Sequence, residues 1–183
     1  MLYSKISVGN HAPAFTLLDD AGQRVSLSAF RGRRVVLYFF YPKDSTTGCT
    51  IEACEFRDLL PRFESEHAVV LGISPDPVKS HAKFKAKFAL TFPLLADTEH
   101  AVAESYGVWA EKSMYGNRYW ANMRTTYVIS ADGVVEQVWE KVAHEGHAAA
   151  VHAFLRGEAL PTPPAEKVAK KAKKRPAPAS KKK

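Results

Sequence analysis

The feature that most restricts the fold of this chain is an unbroken run of aliphatic and aromatic side chains at residues 35–41, which read Val-Val-Leu-Tyr-Phe-Phe-Tyr. A strand with one solvated face alternates apolar and polar residues, whereas a strand covered on both faces is apolar throughout. Residues 35–41 are therefore predicted to form a central strand, with other elements packed on both faces of its sheet. Pro42 ends this strand.

Strand and helix patterns alternate after this run. A second apolar run predicts a buried strand at residues 68–74, and residues 92–95 are expected to be a short extended piece. The predicted helices lie at residues 49–60, from residues 75–77 to about residue 88, at 98–106 and at 147–156. Gly107 and Gly157 are expected to close the last two helices in the left-handed conformation, and Pro61 to kink the first helix or end its first part.

Turn residues predict two hairpins, at residues 15–18 and 24–27 around a turn at 19–22, and at residues 125–130 and 134–139 around Ala131-Asp132-Gly133. Residues 109–123 are polar and aromatic, and a loop is predicted there. Two strand-helix-strand crossovers followed by a hairpin and a helix predict an α/β fold, a central mixed β-sheet flanked by helices with an N-terminal β-hairpin. This order of elements resembles the thioredoxin-like fold.

The net charge of +7 is concentrated at the C-terminal end. Residues 161–183 carry nine Lys or Arg against one Glu, so the rest of the chain is close to neutral. The same residues are rich in Lys, Ala and Pro and show no apolar periodicity, so no core can offset the entropy cost of ordering them. The expected organisation is one globular domain at residues 1–160 and a disordered basic tail at residues 161–183.

Several classes of protein are excluded by what the sequence lacks. No apolar run approaches the roughly 18 residues that span a bilayer, and no secretory signal is expected at the N-terminus, so the cytoplasm is the predicted location. Two cysteines are too few for a disulfide-stapled secreted domain or a four-thiolate zinc site. His144, His147 and His152 are interpreted as solvated helix-face residues, because no carboxylates accompany them at ligand spacing. No metal or organic cofactor is implied.

Cys49 lies where the central strand has ended and a helix begins. Unpaired backbone N–H groups at a helix N-terminus carry partial positive charge and stabilise a thiolate over a thiol. A cysteine with a pKa of about 8.5 is only roughly 3% ionised at pH 7, whereas a pKa of about 6 would make it roughly 90% thiolate. Position alone leaves two interpretations open, an activated nucleophile and a small buried residue at a helix start.

The residues around Cys49 decide between these interpretations. Pro42, Thr46 and Cys49 form the pattern Pro-x-x-x-Thr-x-x-Cys directly after a strand, and this pattern resembles the peroxiredoxin family. Cys54, five residues later, resembles the Q-type branch, also called the bacterioferritin comigratory protein group. Further segments that resemble the family are Lys112-Ser113-Met114-Tyr115-Gly116 and Arg124-Thr125-Thr126-Tyr127, so the resemblance runs from about residue 8 to residue 155. Thr47 departs from it, since proline is frequent there in the family.

The resemblance implies a thiol peroxidase and assigns a role to each motif residue. Cys49 would attack the peroxide, Thr46 would hydrogen-bond the peroxide and the thiolate, and Arg124 would hold both by charge. Pro42 would shield the site and shape its loop. Cys54 would resolve the Cys49 sulfenic acid as an intramolecular disulfide, and thioredoxin, or alternatively glutaredoxin, would reduce that disulfide. Because resolution needs no partner subunit, a monomer is expected.

The spacing of the two cysteines adds a geometric consequence. On one regular helix, five residues give about 140° of rotation and about 7.5 Å of rise, so the Cα atoms lie roughly 8 to 9 Å apart. A disulfide requires less than about 7 Å. The first turns of this helix are therefore predicted to unwind after oxidation.

Two other functions remain to be weighed. A thioredoxin-like disulfide oxidoreductase would share the fold, but it would use a Cys-x-x-Cys pair, whereas four residues separate Cys49 from Cys54. The basic tail is similar in composition to histone-like tails and would give weak, salt-dependent nucleic-acid binding. A purely solubilising tail is the alternative. Larger organic hydroperoxides are candidate substrates, with Met114, Tyr115, Tyr119 and Trp120 as candidate contacts.

Overall fold

The computed structural model describes residues 6–39, 47–114 and 116–158. The strands are β1 (Thr16–Asp19), β2 (Arg24–Ser26), β3 (Arg34–Phe39), β4 (Ala68–Ser74), β5 (Leu94–Ala96), β6 (Trp109–Met114), β7 (Asn117–Asn122), β8 (Thr125–Ile129) and β9 (Val135–Glu140). The helices are α1 (Thr47–Ser65), α2 (Val78–Phe88), α3 (Ala101–Ser105) and α4 (His147–Leu155), with one 3-10 helix at Leu27–Phe30.

Seven strands form one mixed sheet in the order β2-β1-β5-β4-β3-β8-β9. Strands β3, β4 and β5 run parallel, as crossover connections require, and the remaining pairs are antiparallel. Five of the six residues of β3 are buried, which confirms the covered central strand predicted from its apolar run. Phe40 and Tyr41 lie outside the described residues. Both predicted hairpins are confirmed as β1–β2 and β8–β9.

Apolar side chains cover both faces of this sheet. On one face, Phe56, Phe63 and Phe84 from α1 and α2 pack with residues of α4. On the other face, α3 and the segment before β1 pack over the sheet, with Tyr106 fully buried. The α/β, thioredoxin-like architecture with helices on both faces is therefore confirmed.

The prediction of a loop at residues 109–123 is wrong. Strands β6 and β7 form a separate antiparallel ribbon in this segment, in which Trp109 is paired with Asn122 and Met114 with Asn117. Gly116, in the connecting turn, has a φ of 84°, a conformation that glycine adopts without steric cost. Most of the ribbon's described side chains are exposed or half-buried, and the two buried ones, Ala121 and Asn122, are adjacent, so the apolar alternation by which strands are recognised is absent.

Helix boundaries differ from the predictions at three places. Helix α1 begins at Thr47 and continues past Pro61 to Ser65, since Phe56 and Phe63 pack in one core on either side of the proline. Helix α3 is shorter than predicted. Helix α2 begins at Val78 and not within residues 75–77, because Pro77 has extended dihedral angles and occupies the N-cap. Gly107 and Gly157 have φ values of 73° and 72°, which confirms the left-handed caps.

Residues 159–183 lie outside the described part of the chain, so the basic tail and the domain boundary stay predictions. Of the helices in the described ranges, none combines the length and the apolar character that crossing a membrane demands.

Candidate active site

Cys49 lies in the first turn of α1 and is fully buried. Its position follows from the fold, because β3 ends at Phe39 in the centre of the sheet and the chain next enters α1 at Thr47. The backbone N–H groups of a first helical turn stabilise negative charge on a nearby sulfur. The structure thus places the thiol at a helix N-terminus, as the sequence predicted, and also shows that it is buried.

Arg124 is brought to Cys49 by strand register. In the antiparallel pair of β3 and β8, Phe39 lies opposite Thr125, so the start of β8 meets the end of β3. Arg124 directly precedes β8 and therefore stands at the same end of the sheet as the start of α1. Its Nη2 donates to Sγ of Cys49 at 3.9 Å. The predicted pairing of this arginine with this cysteine, 75 residues apart, is present.

Glu52 is a buried acidic residue of the site that the sequence reasoning missed. It lies one turn after Cys49 on α1, it is 0% exposed, and its Oε2 is 3.5 Å from Nε of Arg124. Burial raises the pKa of Glu52 to about 8, with Arg124 opposing and Glu55 adding to the shift. At neutral pH burial outweighs the attraction, so the carboxyl is protonated. Glu52 therefore does not neutralise the positive charge of Arg124, which stays available to stabilise negative charge on the Cys49 sulfur and on a substrate. The sequence offered one signal for this position: Glu52 follows Cys49 by three residues, a spacing that makes two side chains neighbours on the same face of a helix.

Gly48 is the point at which three elements meet. A Cβ built on it would lie 2.8 Å from Nη2 of Arg124 and 3.3 Å from Nδ1 of His144. A side chain at this position would displace the guanidinium of Arg124, so glycine allows Arg124 to approach the start of α1. His144, in the segment between β9 and α4, thereby lies beside the residue that precedes Cys49. Neither residue was predicted as part of the site.

The interpretation of His147 and His152 as solvated residues is wrong. Both are buried, at 6% and 9% exposure. His147 shares a hydrogen bond of 2.8 Å between its Nε2 and Oγ1 of Thr126, and its ring packs edge-on against Phe56. Burial, aided by Arg124, lowers the pKa of His147 to about 3, so its ring is neutral at neutral pH. These histidines belong to the packing between α1, α4 and the sheet.

Cys54 lies on the same helix as Cys49, as the geometric prediction assumed, and it is partly exposed. No disulfide joins the two thiols in this structure. The helix is continuous through both positions, so the two sulfurs cannot bond without a change in α1. The Cys49–Cys54 disulfide therefore stays a prediction. Pro42 and Thr46, two further predicted site residues, lie outside the described residues.

The β6–β7 ribbon supplies the predicted contacts for larger hydroperoxides only in part. Trp120 is 58% exposed and Tyr119 is half-buried. Tyr115 and the side chain of Met114 lie outside what the structure describes. Asn122, the last residue of the ribbon, is two positions before Arg124, so the base of the ribbon lies at the site.

Together these residues can stabilise a thiolate and the charge of a reaction at sulfur. A guanidinium presents several donors in a rigid fork and does not lose its proton. Fixed donors of this kind lower the barrier of a step that builds negative charge on a leaving oxygen. Within the described ranges, no group of three or more His, Cys, Asp or Glu side chains is placed to hold a metal ion.

Comparisons with known proteins agree with this chemistry. Residues 8–138 match the model of the AhpC/TSA family. Peroxiredoxin Bcp of Bacillus subtilis is 44% identical over 144 residues, 79% of this chain and 91% of the relative. Peroxiredoxin Bcp of Escherichia coli is 40% identical over 154 residues, 84% of this chain and 98% of the relative.

Solved structures give the same result for the fold. Peroxiredoxin Q of Xanthomonas campestris, 39% identical, has a TM-score of 0.76 and is matched over 85% of this chain and 98% of its own. A further structure of the bacterioferritin comigratory protein from that organism, also at a TM-score of 0.76 and 39% identity, matches 84% of this chain and 98% of its own and is described with alkyl peroxide reduction activity. The chain belongs to the AhpC/TSA family and, within it, to the Q-type peroxiredoxins, which are thiol peroxidases.

Proposed function

We propose that Cys49 is the peroxidatic cysteine of this thiol peroxidase and that Cys54 resolves it. The observation that carries the proposal is the buried Cys49 sulfur in the first turn of α1, with Arg124 Nη2 at 3.9 Å. In the first step the thiolate attacks the terminal oxygen of R–O–OH and the O–O bond breaks. One proton is taken up, and the products are the Cys49 sulfenic acid and R–OH. Arg124 stabilises the negative charge that develops on the leaving oxygen.

In the second step the Cys54 thiol attacks the sulfur of the sulfenic acid. The S–S bond forms, the S–O bond breaks, and water leaves with the thiol proton. An external dithiol then reduces the disulfide by exchange through a mixed disulfide. The family implies a thioredoxin-type reductant, and thioredoxin is proposed here, with glutaredoxin as the alternative. Thr46 and Pro42 are proposed to position the peroxide and to shape its loop, on the strength of the motif.

The experiment that tests these roles is non-reducing mass spectrometry after one equivalent of peroxide. Wild type should lose two hydrogens within one chain, and Cys54→Ser should gain one oxygen, which dimedone traps as a sulfenic acid. The second-order rate constant with hydrogen peroxide should greatly exceed that of free cysteine. A rate like that of free cysteine would instead favour the disulfide oxidoreductase.

Hydrogen peroxide and organic hydroperoxides are proposed as substrates. The similar Xanthomonas campestris protein is described with alkyl peroxide reduction, and the exposed Trp120 on β7 offers an apolar contact for an alkyl group. Trp120→Ala should lower the rate with cumene hydroperoxide more than the rate with hydrogen peroxide. Equal effects on both rates would remove Trp120 from the substrate site.

We also propose that the protein acts as a monomer in the cytoplasm. Intramolecular resolution needs no second subunit, and a dithiol reductant operates in a reducing compartment. Sedimentation of reduced and oxidised protein at several concentrations tests the oligomeric state.

Residues 161–183 are proposed to form a separate basic tail after a domain at residues 1–160. We further propose that this tail binds nucleic acid weakly and without sequence preference. The support is its net charge of +8 against a nearly neutral remainder, which would release counterions from phosphates. Mobility shifts at two salt concentrations should differ between the full chain and a chain ending at residue 160. Identical shifts would reject this binding, and peroxidase activity should be the same in both.

A further inference from the structure

Helices α1 and α4 are joined by one hydrogen bond next to the resolving cysteine. The backbone N–H of Gly146 donates to Oε1 of Glu55 at 2.8 Å, across 91 residues of sequence. Gly146 is the N-cap of α4, has a φ of 75°, and offers no side chain to cap the helix. The carboxylate of Glu55 therefore acts as the cap of α4 from the neighbouring helix, where negative charge is favoured.

The segment that ends at Gly146 also contacts the start of α1. The N–H of Val142 donates to the carbonyl of Arg124 at 3.2 Å, which ties the segment to the sheet beside the site. His144 then lies against Gly48, the residue before Cys49. The segment from residue 142 to residue 146 thus covers the start of α1, with Glu55 holding its far end.

Resolution requires a change in this region. The sulfurs of Cys49 and Cys54 can meet only if the chain between them leaves helical geometry. Cys54 and Glu55 share a peptide bond, so rotation of Cys54 out of the helix displaces the Glu55 carboxylate from Gly146. Farther along the helix, Arg57 donates to the carbonyl of Phe88 at 2.7 Å and anchors the part that can stay folded.

We infer that Glu55 is a positioning residue for the resolution step. Its hydrogen bond to Gly146 holds the first turns of α1 in the conformation that reacts with peroxide, and breaking this bond lets Cys54 reach the Cys49 sulfenic acid. The strength of the contact sets how long the sulfenic acid persists. It also sets how often a second peroxide converts the sulfenic acid to sulfinic acid before the disulfide forms. This inference rests on the proposed roles of Cys49 and Cys54.

The test compares two substitutions that weaken the hydrogen bond between Glu55 and Gly146 to different extents. Glu55→Gln keeps an acceptor oxygen but loses the charge, and Glu55→Ala loses the bond entirely. The resolution rate constant is measured by mixing reduced protein with peroxide, quenching with acid at millisecond intervals, and quantifying disulfide and sulfenic acid by mass spectrometry. Resolution should accelerate about threefold in Glu55→Gln and about tenfold in Glu55→Ala, as expected for loss of a charge-assisted bond. At peroxide concentrations where resolution is much faster than over-oxidation, the sulfinic fraction formed per turnover should fall by the same factors.

The matched control is Asp58→Asn, one turn later on α1. Asp58 pairs with Arg57 of its own helix at 2.7 Å and is not bonded to α4 in the described structure. Asp58→Asn should resolve at the wild-type rate. Resolution rates that are equal in wild type and both Glu55 variants would overturn the inference, as would equal acceleration in Asp58→Asn. If the wild type formed no Cys49–Cys54 disulfide at all, the proposed function itself would fail, and the two failures are thereby distinguished.

Discussion

The buried carboxyl of Glu52 makes a quantitative prediction about stability. Its pKa is about 8 in the folded protein against an ordinary value of 4.5. Between these pH values the unfolded chain has released the proton while the folded chain retains it. The folded state therefore binds more protons, and the free energy of unfolding falls as pH rises through this window. The slope is about 1.4 kcal/mol per pH unit.

His147 contributes the opposite slope in a lower window. Its pKa is about 3 in the folded protein against 6.5 ordinarily, so the unfolded chain binds the extra proton between these values. Stability from this group therefore rises with pH and is lost as pH falls below 6.5. Between about pH 4.5 and 6.5 the contributions of Glu52 and His147 to the pH dependence of stability cancel. From pH 6.5 to pH 8 only Glu52 contributes, and the free energy of unfolding of wild type falls by about 2 kcal/mol.

Glu52→Gln isolates the carboxyl, because glutamine has nearly the shape of the protonated acid and does not titrate. His147 is present in both proteins and drops out of the difference. The free energy of unfolding of Glu52→Gln minus that of wild type should grow by about 1.4 kcal/mol per pH unit, roughly 3 kcal/mol between pH 5 and pH 7. The assay is urea unfolding followed by circular dichroism at pH 5, 6, 7 and 8, with reductant present.

The control is Glu64→Gln, on the same helix at an exposed position. The pH dependence of Glu52→Gln is compared with that of this variant. If the difference between Glu52→Gln and wild type stayed constant with pH, the Glu52 carboxyl would be ionised in the folded state. The argument that burial outweighs the attraction of Arg124 would then be refuted.

Three further substitutions test the site. Arg124→Lys should slow the reaction of Cys49 with hydrogen peroxide about 100-fold in stopped-flow measurements, because an ammonium lacks the fork of donors; an unchanged rate would remove this arginine from the chemistry. Gly48→Ala should slow the same reaction about tenfold with an unchanged circular dichroism spectrum, since its Cβ would lie 2.8 Å from Arg124 Nη2, and a wild-type rate would show that the guanidinium tolerates displacement. His147→Gln should lower the free energy of unfolding at pH 7 by about 1 to 3 kcal/mol, through its buried bond to Thr126. As pH falls from 6.5 to 4.5, its free energy of unfolding should increase relative to that of wild type by about 1.4 kcal/mol per pH unit, because only wild type contains the imidazole that stays neutral when folded; a constant difference would contradict a neutral buried ring.

Much of the fold could be predicted from local patterns. Strands β3 and β4 are covered on both faces, so burial removes the polar positions from their sequences and leaves an apolar run. The β8–β9 hairpin carries a turn glycine between two apolar segments. The β6–β7 ribbon gave no such signal, because most of its described side chains are exposed or half-buried. Its two buried residues, Ala121 and Asn122, are adjacent in sequence, so they produce no two-residue alternation.

Polar residues inside the protein were harder to predict. Glutamate and histidine are usually found at protein surfaces. The sequence offers no local sign that Glu52 and His147 are buried. Their burial depends on α1, α4 and the sheet packing together, which brings Phe56 to one side of His147 and Arg124 near both groups. Their shifted pKa values follow from that packing and were unpredictable before it was known.

The sequence by itself determined the α/β order of elements, the place of Cys49 at the start of a helix and its spacing from Cys54, because all three depend on residues close together in the chain. The tertiary structure alone decided what surrounds that sulfur. The register of β3 with β8 brings Arg124 to it from 75 residues away, and the segment before α4 places His144 beside Gly48 and Gly146 against Glu55. Contacts between residues so far apart in sequence are set by the packing of whole elements, which no local pattern specifies.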